Sequence, residues 1–254
     1  MENKTEKGIQ SVNRAVQIIR CFENIEELGV TEISRLMALH KSTVFGLIAT
    51  LELNGLLEKN EASGKYRLGL ELFRLGTKVN SNLRKITVPY LEKLVARFHE
   101  TVNLVVMDNL SVVYLEKVEG AHSMRTSTAV GKRFPLNCTA VGKAMLSGCS
   151  LEELEDKLQR MEYEKCTEHT LGSREDVEKA LMEVRENGYA EDFEELEIGL
   201  VCVAAPIYNH LGSPFAAISV SGPKFRMNDE LRKELSEVLV DYTREISKKL
   251  GYND

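Results

Sequence analysis

The sequence predicts an α+β protein in which a winged helix-turn-helix precedes an antiparallel sheet with helices packed against it. Three observations carry this. Residues 29–67 hold two short helical patterns and a hairpin in immediate succession, the hydrophobic period changes from helical to alternating at Val102, and acidic charge is concentrated in the C-terminal part. Residues 1–85 carry 13 Lys and Arg against 10 Asp and Glu, and the remainder 20 against 29. The net charge of −6 therefore belongs to the second part, and the first is compatible with an anionic partner.

The first helix is expected from about Ser11 to Phe22, with Val12, Ala15, Val16, Ile19 and Phe22 on its core face and Arg14 and Arg20 turned away. In the helix-turn-helix proper, the leading helix buries Ile33 and Leu36 and the turn runs through Ala38 to His40. The second helix starts near Ser42 with Val44, Leu47, Ile48 and Leu51 on one face. A Gly-containing turn then closes a wing on Lys65-Tyr66-Arg67. A further helix reads from Leu68 to about Lys85, with Leu72, Leu75, Val79, Leu83 and Ile86 in a heptad-like seam suited to self-association, and Pro89 opens the next helix, Tyr90 to His99. Strands follow at Val102–Met107, Val112–Val118 and between Ser123 and Ala129. Helices return at 140–147, 151–161 and 173–187, the last capped by Gly188. Strands at 198–207 and 214–221 and a closing helix at 228–250 complete the chain. The domains expected are a DNA-binding unit at 8–70, a linker helix at 71–88 and a second domain at 89–254.

A helix-turn-helix with a wing serves mainly to place one helix in a DNA groove. With the apolar stripe of the second helix facing inward, Ser42, Phe45, Gly46 and Ala49 face out. An outward Phe beside Gly and Ala suits close approach to base edges and thymine methyls. Lys41, Ser42 and Thr43 stand at the helix start, where hydroxyls cap and free amides meet phosphate. Lys65 and Arg67 on the wing, Thr31 at the start of the leading helix and Arg14 complete the expected DNA-facing set. The partner expected is a double-stranded, near-palindromic operator bound by a dimer or tetramer.

The second domain holds a candidate pocket. If the hairpin 198–221 closes symmetrically, with facing positions summing to 421, Cys202 lies opposite Ser219 and Leu200 opposite Ser221. Alternation then puts Cys202, Ser219 and Ser221 on one face and Val201, Val203, Ala205, Ile207, Ile218 and Val220 on the other. A thiol and two hydroxyls are the floor of a small polar pocket. Asn137-Cys138-Thr139-Ala140-Val141-Gly142-Lys143 supplies a helix start, with Thr139 as cap and the amides around Val141 and Gly142 open to a carboxylate. Asp192, in the loop 188–193, is placed to accept a hydrogen bond from a ligand hydroxyl.

The chain also resembles the IclR family of bacterial transcription regulators. The resemblance rests on Ser11-Val12-Asn13-Arg14-Ala15, Lys41-Ser42-Thr43-Val44, Tyr66-Arg67-Leu68-Gly69, Cys138-Thr139-Ala140-Val141-Gly142-Lys143-Ala144, Gly188-Tyr189-Ala190, Val203-Ala204-Ala205-Pro206 and Ser219-Val220-Ser221-Gly222-Pro223. It implies a winged-helix DNA-binding domain, a linker helix, a GAF-like effector domain for small organic acids, and dimers or tetramers. Carried over residue by residue, it implies effector contacts at Ala140, Val141, Asp192, Cys202, Ser219 and Ser221. Two departures stand out: the family often has an Arg where Gly46 stands, and a Gly or Ala where Val141 stands.

The reading is a ligand-responsive regulator, more a repressor than an activator, with no cofactor, no resident metal and no catalysis. The polar start, Met1 to Lys7, and the lack of an eighteen-residue apolar run predict a cytoplasmic protein with no membrane segment. Five cysteines without a CxxC pair form neither a disulfide framework nor a zinc knuckle. Two alternatives are weighed beside it. One is a metal- or thiol-responsive regulator using Cys166 and His169 with His122 or Cys138; the other is an enzyme with Cys202 as nucleophile, for which no His stands beside it as base.

Overall fold

In the computed structural model, residues 8–76, 78, 81–124, 126 and 128–252 are described. The chain divides into two units, Met1–Ser81 and Asn82–Asp254.

In the first unit, α1 (Gln10–Arg20) presents Ala15, Ile18 and Ile19, followed by Phe22, to a core of Leu28, Ile33, Val44, Ile48, Leu51, Leu57 and Tyr66. The expected stripe is out of phase: Val12 and Val16 are exposed, and Ile18 is the fully buried residue. α2 (Val30–Leu36) buries Ile33 but leaves Leu36 exposed, because its inward face runs through Val30, Ile33 and Met37, and Met37 takes the place expected for Leu36. The turn to α3 (Lys41–Leu53) bends the chain by 113°, with Ala38 left-handed at φ 51°. This is within the range of DNA-binding helix-turn-helix pairs. The inward face of α3 is as expected: Val44, Ile48 and Leu51 are buried and Leu47 packs beside them. β1 (Leu57–Lys59) and β2 (Tyr66–Leu68) form the wing, with Glu58 opposite Arg67.

Of the predicted helix from Leu68 to Lys85, the described residues show α4 (Leu70–Gly76), Lys78 in a turn and α5 (Ser81–Phe98); residues 77, 79 and 80, Val79 of the expected seam among them, lie outside the described residues. Pro89 sits inside α5 rather than at its start. It removes one hydrogen bond to the carbonyl four residues earlier, yet the helix continues because Leu83, Tyr90, Leu91, Leu94 and Phe98 are all anchored in one core cluster.

The second unit is a six-stranded antiparallel sheet in the order β5-β4-β3-β8-β7-β6. Its strands are β3 (Thr101–Asp108), β4 (Ser111–Val118), β5 (Arg133–Pro135), β6 (Ala190–Phe193), β7 (Leu200–Tyr208) and β8 (Pro214–Pro223). Alternation splits the sheet into two faces. Val102, Leu104, Val201, Val203, Ala205, Ile207, Ile218 and Val220 pack under α5 and the long closing helix α9 (Asp229–Lys249). Val105, Tyr114, Cys202, Ala204 and Ala217 pack under α6 (Ala140–Ser147), α7 (Leu151–Arg160) and α8 (Arg174–Asn187). Three sequence expectations are corrected here. The described residues between 123 and 129 form no strand, and the short β5 takes the edge beside β4 instead. Residues 190–193, expected as loop, are the opposite edge strand. The β7/β8 register sums to 423 over most of its length, not 421: Cys202 faces Ser221, and Ala204 faces Ser219. The shift arises because the turn is asymmetric, with a register change at Ile207/Tyr208 and Tyr208 opposite Pro214.

Among the described residues no single helix is long and apolar enough to cross a membrane.

Candidate functional site

On the first unit, Lys41, Ser42, Thr43, Phe45, Gly46 and Ala49 are all exposed on α3, Phe45 at 58%. The helix is capped by His40 without a side-chain hydrogen bond, so the Ser42 and Thr43 hydroxyls do not serve as caps as expected. The consequence favours anion binding. Among the described residues the first-turn amides of α3 and the exposed Lys41 ammonium have no partner, and they stand at one helix start. Gly46 faces open space, and a Cβ there would meet nothing within 4 Å. The wing cations are less free. Lys65 pairs with Glu32 at 3.0 Å, and Arg67 pairs with Glu58 across the wing. Glu32 also accepts the Gly29 amide, and these bonds hold its carboxyl below the usual range. Arg14 on α1 and Thr31 in the first turn of α2 are half-buried, and neither side chain has a hydrogen-bond partner among the described residues.

On the second unit, the structure gathers Ala140, Val141, Asp192, Cys202, Ser219 and Ser221 around one cavity. Pairing explains how. Asp192 faces Cys202, which faces Ser221, so a carboxyl, a thiol and a hydroxyl lie in one row across β6, β7 and β8. The next row carries Ala204, Ser219 and Asn103. Above this floor stands the start of α6. Thr139 accepts the Gly142 amide at 3.1 Å, so of the amides expected to be open Gly142 is satisfied, and Ala140 and Val141 have no partner among the described residues.

The floor is a hydrogen-bonded network. The Asn103 amide nitrogen donates to Ser219 at 3.4 Å and Ser221 at 3.5 Å, and its oxygen accepts the Thr128 hydroxyl at 3.1 Å. Asp192 accepts the Glu195 amide at 2.7 Å, yet burial, and then the neighbouring Glu195 carboxyl, push its own carboxyl up to about 7. Beneath it Lys143 and Glu195 form a buried ion pair. Cys202 is held far above the usual thiol range, first by burial and next by Asp192, which is the opposite of an activated nucleophile. Tyr114, Thr126, Thr139, Leu196 and Leu200 complete the lining. The cavity is nearly closed, about 10 Å³, room for about one water. Beside it lies an apolar recess of about 520 Å³, which shares Thr126 and Leu200 with it and adds Met124, Ile198 and Phe225. A third space of about 540 Å³, between α8 and β6, collects none of the expected residues.

Residues 77–248 match the model of the bacterial transcriptional regulator IclR C-terminal domain, and residues 11–61 match the IclR helix-turn-helix domain. The chain belongs to the IclR family. It is 39% identical over 247 residues to the HTH-type transcriptional regulator XynR of Escherichia coli strain K12, covering 96% of this chain and 98% of that one. The transcriptional repressor IclR of the same organism is 30% identical over 248 residues, covering 96% and 90%. An IclR homolog from Microbacterium hydrocarbonoxydans, solved in complex with 4-hydroxybenzoate, has a TM-score of 0.85 at 24% identity, covering 95% and 99%, and shares the fold. This IclR-family chain is accordingly a DNA-binding transcription regulator and not an enzyme.

Asn103, Thr126 and Thr128 were missed from sequence. Asn103 had a usable signal, since alternation from Val102 places it opposite Val102 and Leu104, on the pocket face. The threonines, in an irregular segment, had none. Among the described residues no three His, Cys, Asp or Glu side chains are arranged to hold a metal. Of the side chains weighed for that role, Cys138 and Cys166 do come into contact.

Proposed function

We propose that this regulator binds a small organic acid in the cavity between α6 and the β6-β7-β8 floor, and that binding lowers its affinity for a palindromic operator it represses. The observation that carries this reading is the convergence of the two open α6 amides with Ser219, Ser221 and Asp192 on one enclosed space. Open amides at a helix start take the carboxylate, and the hydroxyls and Asp192 select a polar substituent. At about 10 Å³ the cavity admits no such ligand, so binding requires a second arrangement. The natural one moves Leu196 and Leu200 outward, merging the cavity with the apolar recess beside it. The 194–200 segment has left-handed backbone at Glu194 (φ 63°) and Gly199 (φ 85°) on either side of Leu196, which suits a hinged flap. The ligand then acts by its differential affinity for the two arrangements.

Repression is favoured by the likeness to the repressor IclR. DNA contact is assigned to Lys41, Ser42, Thr43, Phe45, Gly46 and Ala49 on α3, with Lys65 and Arg67 on the wing and Thr31 and Arg14 behind. α4 leaves Leu70 and Phe73 exposed on one side and Leu75 exposed on another, and we assign these apolar residues to self-association.

The test is a two-way separation. An operator is selected from random duplex DNA, and a panel of small carboxylates that includes 4-hydroxybenzoate is screened by calorimetry. Lys41→Ala and Ser42→Ala are expected to weaken operator binding about tenfold while carboxylate binding is kept, and Ser221→Ala the reverse. Equal loss of both activities in every variant would sink the two-site model.

A further inference from the structure

We propose that Cys138 and Cys166 are a thiol oxidation site that closes to a disulfide on exposure to a peroxide and fastens the loop 162–172 to the start of α6. Their sulfurs lie 3.6 Å apart, in van der Waals contact, and a bond at about 2.05 Å asks for a closure of only about 1.5 Å. Among the described residues no other two cysteines touch. The pair is asymmetric in the way such chemistry needs. Cys166 is exposed, whereas Cys138 is fully buried. Burial, and next the Cys166 sulfur beside it, keeps the Cys138 thiol protonated far above the usual range, so attack by solvent oxidants begins at Cys166.

The steps balance. The Cys166 sulfur takes one oxygen from the peroxide, whose O–O bond breaks to leave water or an alcohol, and becomes a sulfenic acid. The Cys138 sulfur attacks the oxidised sulfur, the S–S bond forms, and the hydroxyl departs as water with the Cys138 proton. Two thiols are oxidised by two electrons in total, and the peroxide is reduced by two.

The two segments are already held together, so the bond adds a covalent clasp to an existing contact. Asn137 donates to the carbonyls of Glu164 at 3.1 Å and Leu171 at 3.0 Å. From the same loop, Thr167 donates to the Glu194 carbonyl and Thr170 to the Glu195 carbonyl, each at 2.6 Å. Cys138 also immediately precedes Thr139, the cap of α6. A disulfide here therefore ties the α6 cap, through the loop, to the segment that places Asp192 and Leu196. Oxidation holds this side of the cavity closed. Its regulatory meaning rests on the effector reading above; its chemistry does not.

The full-length protein is treated with hydrogen peroxide and analysed by intact mass, thiol counting and peptide mapping. The expected result is a loss of about 2 Da, three free thiols out of five, a 138–166 cross-linked peptide, and full reversal by dithiothreitol. Cys166→Ser, an exposed substitution that keeps the fold, is expected to form no such link. Hydrogen exchange then reads the coupling at the Glu195 and Leu196 amides, both of which donate to Asp192. These are expected to exchange about tenfold more slowly after oxidation of the native chain, and at an unchanged rate in peroxide-treated Cys166→Ser. Overoxidation of Cys166 with Cys138 left free, or a disulfide between other cysteines, overturns the site. A correct disulfide with unchanged exchange at 195–196 overturns the coupling. Neither outcome touches the effector reading, which is tested separately on the reduced protein by carboxylate binding and its loss in Ser221→Ala.

Discussion

Gly46 and Gly142 are both helical glycines, and the same substitution is expected to act on them with opposite sign. At Gly46, on the exposed side of α3, an added Cβ meets nothing within 4 Å, so Gly46→Ala gains only helix propensity, about 1 kcal/mol at most. At Gly142, on the third residue of a helix whose every side chain is buried, the Cβ would lie 2.2 Å from the Leu136 carbonyl oxygen and 2.7 Å from its Cα. Those are backbone atoms, so relief requires α6 to lift from the segment that leads into it. Overpacking of this kind costs about 1–3 kcal/mol, occasionally more, against a propensity gain of about 1. Gly142→Ala is thus expected to destabilise the second unit by up to about 2 kcal/mol or beyond, and Gly46→Ala to stabilise the first by up to about 1. The two units need separate readouts, since one global midpoint would mix them. Urea titrations followed by hydrogen exchange, with core amides of α3 and of β7 as reporters, give each its own stability. A second unit stabilised by Gly142→Ala would refute the seating of α6 on Leu136, and with it the position of the open amides.

Gly46→Arg places a charge where the family often carries one, in space that is open. It is expected to strengthen duplex binding at low salt and to steepen the slope of log affinity against log salt by about 0.9; an unchanged slope would remove this face of α3 from the DNA contact. Asp192 makes the second unit sensitive to pH. Its carboxyl titrates near 7 when folded, above the unfolded value near 3.8, so the folded state holds the proton more tightly. The resulting stabilisation is complete below about pH 4, declines as pH rises, and is gone above about 7. Asp192→Asn keeps an oxygen for the Glu195 amide and is expected to flatten that decline, measured as the difference from the native chain, while Glu195, also raised by burial, contributes in the same sense to both. Identical pH profiles for the two proteins would show that the Asp192 carboxyl holds its proton equally in the folded and unfolded states, and would refute the upward shift.

How much of this site was legible follows from parity. The symmetric hairpin put Cys202 opposite Ser219, and the structure puts it opposite Ser221, two residues away. A shift of two conserves the face of every side chain, whereas a shift of one would put Ser219 and Ser221 on the face opposite Cys202 and part Val220 from Val201 and Val203. The burial of those valines leaves only even shifts open, which is why the floor of the cavity could be read before its register was known. β5 and β6 have three and four residues, too few for alternation to declare itself, so both edges were lost and Asp192 was read as a loop residue. α1 went out of phase because hydrophobic residues occur on more than one side of it, and only the location of the α3 core selects Ile18 over Val12 and Val16. Pro89 was misplaced because local chemistry assigns proline to a helix start, while five core anchors along α5 offset the lost hydrogen bond. Sequence pattern thus decides which face a residue takes wherever a long element has one buried side. The partner across the sheet is decided by turns and neighbours, and it is this second choice that sets Asp192 beside Cys202 and Ser221 and makes three separated residues one row.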